Sequence, residues 1–433
     1  MPSPAPAGGD RLVCMDVEVR KLGSGEQEDF VRSVRVPFLA PVTGDPEDGE
    51  DVRRGAAKRE TDRAWVAVDG GRFVANACVY SMDVTVPGAP GEPAPLARMA
   101  GVSAVGVHPT HRRRGLLRRL MAEMLDDARE RGEPLAGLIA SESVIYGRFG
   151  FGHATDMTEL TIDSRASRFD VPAPRVAIRL VDRDEAAKIL PDLYDRQRRG
   201  RAGEPNRSEH VWEGVIADRP DRRRGGSGVF FAVCDEGYVA YRAHDGVDKR
   251  SELARVVIEE LRGLTPEVES ALWRFVLDLD LVGEVNARRR PVDEPLRWRL
   301  ADPRQLRVAD VYDRLHLRLL DVPAALEARR YLREGRLVLD VLPPAVDEGA
   351  RDPAPGTWVL EAGPDGASCR QARAGDAPDL RLGVGDLGSV YLGGFPASLL
   401  AAAGRVEELT PGSLTVADAL FAARPAPMTG TGF

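Results

Sequence analysis

The chain has 433 residues, a length that predicts about three domains of roughly 150 residues each. Apolar residues make up 43% and charged residues 30%, which excludes a mostly disordered chain, and 44 glycines with 32 prolines stay below the share of about 25–30% that marks low-complexity sequence. Sixty Lys+Arg against 68 Asp+Glu leave a net charge of −8, whose long-range field repels nucleic acid and anionic membranes and attracts cations such as polyamines.

Residues 1–10 are Pro/Ala/Gly-rich and read as a disordered tail, with neither the basic nor the apolar region of an export signal. No segment approaches 18 uninterrupted apolar residues, so no membrane span is predicted. An alternating run at 12–19 predicts a strand and 26–36 a helix. The Pro/Gly/acid-rich stretch 43–51 reads as a loop, either solvated or drawing in a cationic substrate. Two β runs, 65–68 and 73–84, flank Asp69-Gly70-Gly71, a hairpin signal because these residues tolerate positive φ. A third run covers 97–107.

The segment after it has the most regular period in the chain. Leu117, Leu120, Met121, Met124, Leu125 and Ala128 recur at helical spacing, with Glu123, Asp126, Asp127 and Glu130 on the other side and Gly132 as the stop. A strand at 135–140, a helical turn at 144–149 and a strand at 153–162 complete the first block. A second block, about 175–310, repeats this order: a strand at 176–180, helices at 185–196 and Glu209–Ile216, strands at 229–233, 238–242 and 252–261, helix Pro266–Leu277 and a strand at 283–287. It reads as a diverged internal duplicate. The third block mixes strands at 337–341 and 358–360 with helices at 385–392, Ala397–Ala402 and 413–422. The end, from Arg424 to Phe433, cannot be helical. Domains are expected at 11–165, 166–310 and 311–433.

Cys14, Cys78, Cys234 and Cys369 have no CxxC spacing, so neither a zinc site nor a disulfide framework is indicated. Three of them lie in strand-like surroundings, and a reducing cytoplasm is the simple reading. His108 and His111 precede the long helix, where Pro109 breaks regular geometry, which argues against a metal site. No metal is expected.

The junction from Val105-Gly106-Val107 through Arg112-Arg113-Arg114-Gly115 into Leu116-Leu117-Arg118 carries the chemistry. A helix N-terminus presents unpaired N–H groups and about half a positive charge to an anion, and glycine lets a diphosphate approach the backbone. Arginines here oppose the helix dipole, a cost explained if an anion binds. The bland alternative is a solvated basic corner. Ala104 and Gly106 are expected to leave a strand edge open for pairing with an extended ligand.

The run from Val105 to Leu117 resembles the acetyl-CoA motif of the Gcn5-related N-acetyltransferases (GNAT). With ASESVIYGRFGFG at Ala140 to Gly152, it is more narrowly similar to the enhanced intracellular survival (Eis) acetyltransferases. DVPAALEAR from Asp321 and LGSVYLGG from Leu387 resemble that family's sterol-carrier-like C-terminal domain. Leu117 stands where the general GNAT motif has a small residue, a departure that Eis-type members share. The resemblance implies an α/β fold of tandem GNAT domains, the second degenerate, followed by a domain resembling sterol carrier protein 2 (SCP2).

It also implies acetyl-CoA as co-substrate, gripped by the backbones of Val105, Gly106 and Val107 and by Arg113, Arg114, Gly115, Leu116, Leu117 and Arg118, with Ser141 and Glu142 contributing. Tyr146 would be the general acid, a phenol with its ordinary value near 10 lowered in a positive site. The α-carboxylate of Phe433 would be the general base, its ring an anchor after a Gly-Thr-Gly hinge; a terminus normally frays. The implied acceptors are amines of aminoglycosides, lysine side chains and other polycations, and the implied assembly a homohexamer. Arg262-Gly-Leu-Thr-Pro at the corresponding junction of the second block is followed by no basic run, so that copy is expected not to bind CoA. Two other readings stay open: a lipid or sterol carrier, which an apolar tunnel in 311–433 would favour and a filled interior would not, and a non-catalytic acetyl-CoA sensor.

Overall fold

The computed structural model describes residues 17–40, 46–89, 91–220, 223–245, 253–346 and 352–433. The expected tail at 1–10, most of the strand at 12–19 and Cys14 lie outside them. Two compact units emerge, one within Met1–Val79 and Ser103–Met124, the other within Tyr80–Val102 and Leu125–Phe433.

In the first unit, strand β1 (Glu18–Lys21) is followed by helices α1 (Gln27–Arg35) and α2 (Pro46–Ala57), then by strand β2 (Ala64–Asp69). Residues 46–51, expected as loop, are therefore helical: proline is pre-organised for a first turn, and Val52 becomes a fully buried anchor. β2 turns through Gly70 and Gly71, at φ +55° and +76°, into β3 (Arg72–Thr85), with Asp69 opposite Arg72. β4 (Leu96–Val107) leads into helix α3 (Leu116–Glu130). These last three elements run on into the second unit.

Leu120, Met121, Met124, Leu125 and Ala128 on α3 are wholly buried, the large ones contributing about 1.5–3 kcal/mol each. Asp127, expected on the solvent side, is only 8% exposed because its carboxylate accepts from Arg131 Nε at 2.8 Å.

In the second unit, β5 (Leu135–Ile139) precedes α4 (Ser143–Tyr146), β6 (Gly152–His153) and β7 (Asp156–Asp163). The single strand expected at 153–162 is thus two, broken at Thr155. There the main-chain oxygen accepts from Arg314 N and the hydroxyl from Leu315 N. Then come β8 (Arg179–Val181), α5 (Arg183–Arg198), α6 (Glu209–Ile216), β9 (Phe230–Cys234), β10 (Gly237–His244), β11 (Ala254–Gly263), α7 (Pro266–Leu277) and β12 (Val282–Arg290). β13 (Leu306–Asp313), β14 (Leu315–Leu319), α8 (Val322–Ala328), β15 (Gly335–Leu342), β16 (Gly356–Gly363), β17 (Gly366–Gln371), β18 (Leu380–Gly383), α9 (Val384–Tyr391), α10 (Ala397–Ala402), β19 (Val406–Glu408) and α11 (Ser413–Phe421) complete the chain.

Three mixed sheets result, ordered β1-β2-β3-β4-β5-β14-β6, β13-β7-β12-β11-β10-β9-β8 and β17-β16-β15-β18-β19. Strand exchange interleaves the first two: β7 joins the second sheet, while β14 enters the first by pairing antiparallel with β5. In β14 every residue is buried, His316 and Arg318 included. The Arg318 guanidinium is retained there by Phe149 O and Asp352.

Among the described residues the C-terminal part has a buried apolar core with a cation inside it. Arg329 is fully buried and donates to Tyr391 O and Phe421 O, the last carbonyls of α9 and α11, where a cation complements both helix dipoles. Its guanidinium lies 4.5 Å from the centre of the Tyr331 ring.

Candidate active site

Within the first unit, β4 carries Val105, Gly106 and Val107 towards α3. Ala104 has φ +52°, uncommon for a residue with a Cβ, and its carbonyl accepts from Asn76 Nδ2, so the strand is distorted just before Val105. A side chain at Gly106 would overlap Pro37, so glycine lets that face of the strand pack closely, and among the described residues β4 pairs with β5 only from Met99 to Gly101. His108 and His111 each bring Nδ1 to 2.7 Å from the Thr110 hydroxyl, and His111 Nε2 lies 2.8 Å from Asp69 Oδ2. Both rings fasten the turn at Pro109–His111. Among the described residues no group of three or more His, Cys, Asp or Glu side chains is placed to hold a metal ion.

Arg113 at φ +63° and Gly115 at φ +76° make the sharp entrance to α3. A side chain at residue 115 would meet nothing within 4 Å, so glycine is required there by its backbone and the space beside it is open. No acid lies in the first turn of α3. Leu116 is buried and Leu117 half-buried. Arg112, Arg113, Arg114 and Arg118 are exposed, and none of their guanidinium groups has an ion-pair or hydrogen-bond partner among the described residues. Arg119, in contrast, is tied to Val17 O at 2.9 Å. Open space, free backbone donors and unspent cations fit a diphosphate.

Within the second unit, β4 and β5 run parallel, with a register from Met99↔Leu135 to Gly101↔Gly137. The chain ends at that point. A side chain on Gly101 would press on Met82 Sδ and come within 3.2 Å of Phe433 Cδ2, and the half-buried Phe433 packs against the core that contains Met82, Val84 and Met99. Residues 427–431 are buried. Gly430 and Thr431, expected as part of a hinge, are fixed by hydrogen bonds to Glu204 and Arg207.

Ser141 and Glu142 follow β5 and are exposed. Tyr146, at the end of α4, is half-buried and meets Phe151 edge-on, with ring centres 6.3 Å apart. Its hydroxyl makes no hydrogen bond among the described residues, unlike a tyrosine serving only as core. Burial first, and the Glu142 carboxylate second, push its phenol above the ordinary value. That direction corrects the expected lowering: low dielectric and a nearby negative charge both disfavour phenolate. Tyr146 therefore keeps its proton at neutral pH.

The corresponding junction of the second block is built differently. Thr265 Oγ1 accepts from Val268 N, Pro266 fills the first helical position, and Glu267 and Glu269 occupy the first turn of α7. The helix start is satisfied by its own residues. Arg262 points inwards and pairs with Glu204 and Glu260. The space beside it, lined in part by Glu260, Leu261, Arg262, Arg290 and Gly430, is only about 10 Å³, barely enough for one water. Sequence reading registered at Arg262 only the missing basic run. It overlooked Glu204 and Arg207, which lie more than 50 residues from Glu260 and Arg262 and carry no motif.

Three domain families match. Acetyltransferase (GNAT) domains cover residues 18–154 and 203–319, and a sterol carrier protein domain covers 322–430. The chain is 39% identical over 383 residues to an uncharacterized N-acetyltransferase of Streptomyces avermitilis, covering 86% of this chain and 90% of that protein. It is 37% identical over 371 residues to the N-acetyltransferase Eis of Mycobacterium tuberculosis, covering 84% and 87%. The crystal structure of Eis1 from Mycobacterium abscessus superposes with a TM-score of 0.82 at 31% identity, over 96% of this chain and all of that one. A GCN5-related N-acetyltransferase from Anabaena variabilis shares the fold, with a TM-score of 0.79 at 19% identity and the same coverage. With tandem GNAT domains, a sterol-carrier domain and Eis relatives along most of its length, the chain belongs to the Eis-type N-acetyltransferases of the GNAT superfamily.

Proposed function

We propose that this acetyltransferase uses acetyl-CoA to acetylate amines of polycationic acceptors, aminoglycosides or lysine side chains among them. The observation that carries the reading is the entrance to α3, with an open left-handed glycine, no acid in the first turn and four guanidinium groups without partners among the described residues. In the first unit, Val105, Gly106 and Val107 would hold the pantetheine arm by their backbones. Arg113, Arg114, Gly115, Leu116, Leu117 and Arg118 would hold the diphosphate.

In the second unit, Ser141 and Glu142 would assist, Phe433 and Tyr146 would handle protons, and acetyl-CoA would supply the activated acyl group. The neutral amine adds to the thioester carbonyl, polarised by a backbone N–H near Val105. The Phe433 carboxylate takes the ammonium proton of the adduct, the C–S bond breaks, and Tyr146 protonates the departing thiolate. With three domains at 11–165, 166–310 and 311–433, a tail reaching the active site, a homohexameric assembly and a cytoplasmic setting, the reading is complete. The acidic net charge suits cationic acceptors.

The test is thiol release from acetyl-CoA with tobramycin and with a lysine-rich peptide as acceptors, beside calorimetric binding of acetyl-CoA. Release with these amines is expected. Binding without release from any amine in a broad panel would favour a sensor, and absence of binding would refute the reading.

A further inference from the structure

Chain ends lose the most freedom when pinned, yet here the last residues are among the best-held in the molecule. The grip comes from the second GNAT copy. β11 and β12 run parallel from Ala254↔Val282 to Ile258↔Ala287. Beyond that register, side chains bridge the strands: Arg290 Nη1 donates to Leu261 O at 2.6 Å. Beside this bridge is a buried cluster. Arg262 pairs with Glu204 at 2.5 Å and with Glu260 at 3.0 Å; Arg207 pairs with Glu260 at 2.6 Å and stacks on the Tyr194 ring at 3.9 Å; Tyr238 also donates to Glu260.

Two guanidinium groups balance two carboxylates, but bonding capacity is left over, and the tail uses it. Gly430 N donates to Glu204 Oε2 at 3.1 Å, Thr431 Oγ1 accepts from Arg207 Nε at 2.8 Å and lies 2.8 Å from the Tyr194 hydroxyl, and Arg289 donates to Gly430 O. One step back, Thr429 O accepts from Arg314 while its hydroxyl donates to Gly203 O. Segment 203–206 in turn bonds to β3 at Asp83 and Thr85, the strand whose Met82 faces Phe433.

Resting on the reading of the terminal carboxylate as base, we propose that the second copy uses the place where its paired strands part as a seat for the C-terminal tail. Arg207, Glu204 and Thr431 are its positioning residues for Phe433. Glu204 and Arg207, already ion-paired within the cluster, also hydrogen-bond the tail at Gly430 and Thr431, so tail and cluster hold one another. A base must lie within hydrogen-bond reach of its proton, and a misplacement of about 1 Å costs on the order of 10²-fold in rate. Two residues separate Thr431 from the carboxylate, so its anchorage sets that position.

The test uses full-length enzyme and four proteins: wild type, Thr431→Val, a chain lacking Phe433, and the combination. Thr431→Val keeps side-chain volume but removes the acceptor for Arg207. We expect kcat to fall about tenfold or more, KM for acetyl-CoA and its calorimetric affinity to stay within twofold, and Thr431→Ser to restore kcat. In the chain lacking Phe433, Thr431→Val should cause no further loss, because it acts through the carboxylate already gone. Unchanged kcat in Thr431→Val, or an equal loss in both backgrounds, overturns the seat. Unchanged kcat on deleting Phe433 overturns the terminal-base reading, and the seat with it. Should Thr431→Val unfold at the assay temperature, the half-buried Arg289→Met carries the same cycle, with an expected loss of about threefold that vanishes without Phe433. Absence of that loss overturns the seat.

Discussion

Two helix starts, at Leu116 in the first GNAT domain and at Pro266 in the second, have opposite electrostatics. The first has a left-handed glycine, no acidic residue in its opening turn and four arginines without a partner among the described residues. The second is capped by Thr265, opened by Pro266 and neutralised by Glu267 and Glu269. Its one inherited-looking arginine, Arg262, is turned into the core. A helix N-terminus becomes an anion site only when its own residues leave its donors unspent. The fold alone therefore does not leave both helix starts open to an anion; the first turn decides it.

That contrast can be broken in several places. The largest effect is expected at the chain end. Amidating Phe433 or extending it by one residue should lower kcat about 10²- to 10⁴-fold, the range for loss of a general base, and leave acetyl-CoA affinity intact. Steady-state and calorimetric measurements check both parts. Tyr146→Phe should lower kcat about 10²-fold. Because burial and Glu142 raise its phenol above the ordinary value of 10.0, the wild-type enzyme should keep its general acid protonated to beyond pH 10. An alkaline loss below that, unchanged by Tyr146→Phe, would assign the limb to another group.

Arg113→Ala with Arg114→Ala should raise KM for acetyl-CoA about tenfold or more, with less effect on saturated kcat, since charged hydrogen bonds are worth about 1.5–3 kcal/mol each. The wild type should also lose affinity with added salt more steeply than the double variant. Changes at the second helix start should be felt only in stability. Thr265→Ala removes a cap worth about 1 kcal/mol and should leave acetyl-CoA binding unchanged, as denaturant unfolding beside calorimetry would record.

The smallest effect concerns acid. Burial tends to raise the Glu260 carboxyl, but Arg207 and Arg262 outweigh it and hold it below its ordinary value of 4.5. A lowered folded value means stability that is fully present above pH 4.5 and is lost as pH falls below it. Unfolding midpoints measured from pH 6 to pH 3 should fall in the lower half of that range, and Glu260→Gln should flatten the fall.

Much of this was legible from residue order. The α3 period, the hairpin at Gly70-Gly71 and the arginine-glycine entrance are local signals, each read within a dozen residues. Helix α7 spans the expected Pro266–Leu277, and Thr265-Pro266 with the following acids are local start signals there. What failed was long-range. β14, with His316 and Arg318 buried between β5 and β6, has polar residues where a core strand should be apolar, and only distant partners such as Asp352 explain them. Helix α2 was obscured by acids and glycine that read as loop, although Val52 and Pro46 argue the reverse. The tail's ionic seat joins residues more than 220 positions apart, a separation at which no spacing rule operates.

The most direct test of the contrast between the two helix starts is the stoichiometry of acetyl-CoA binding, measured by titration calorimetry on the intact chain. The account predicts one site per chain, lost when Gly115 is replaced by valine, whose Cβ opposes the left-handed backbone there, and retained in Thr265→Ala. Two sites per chain, no heat at all, or binding indifferent to Gly115→Val would contradict it.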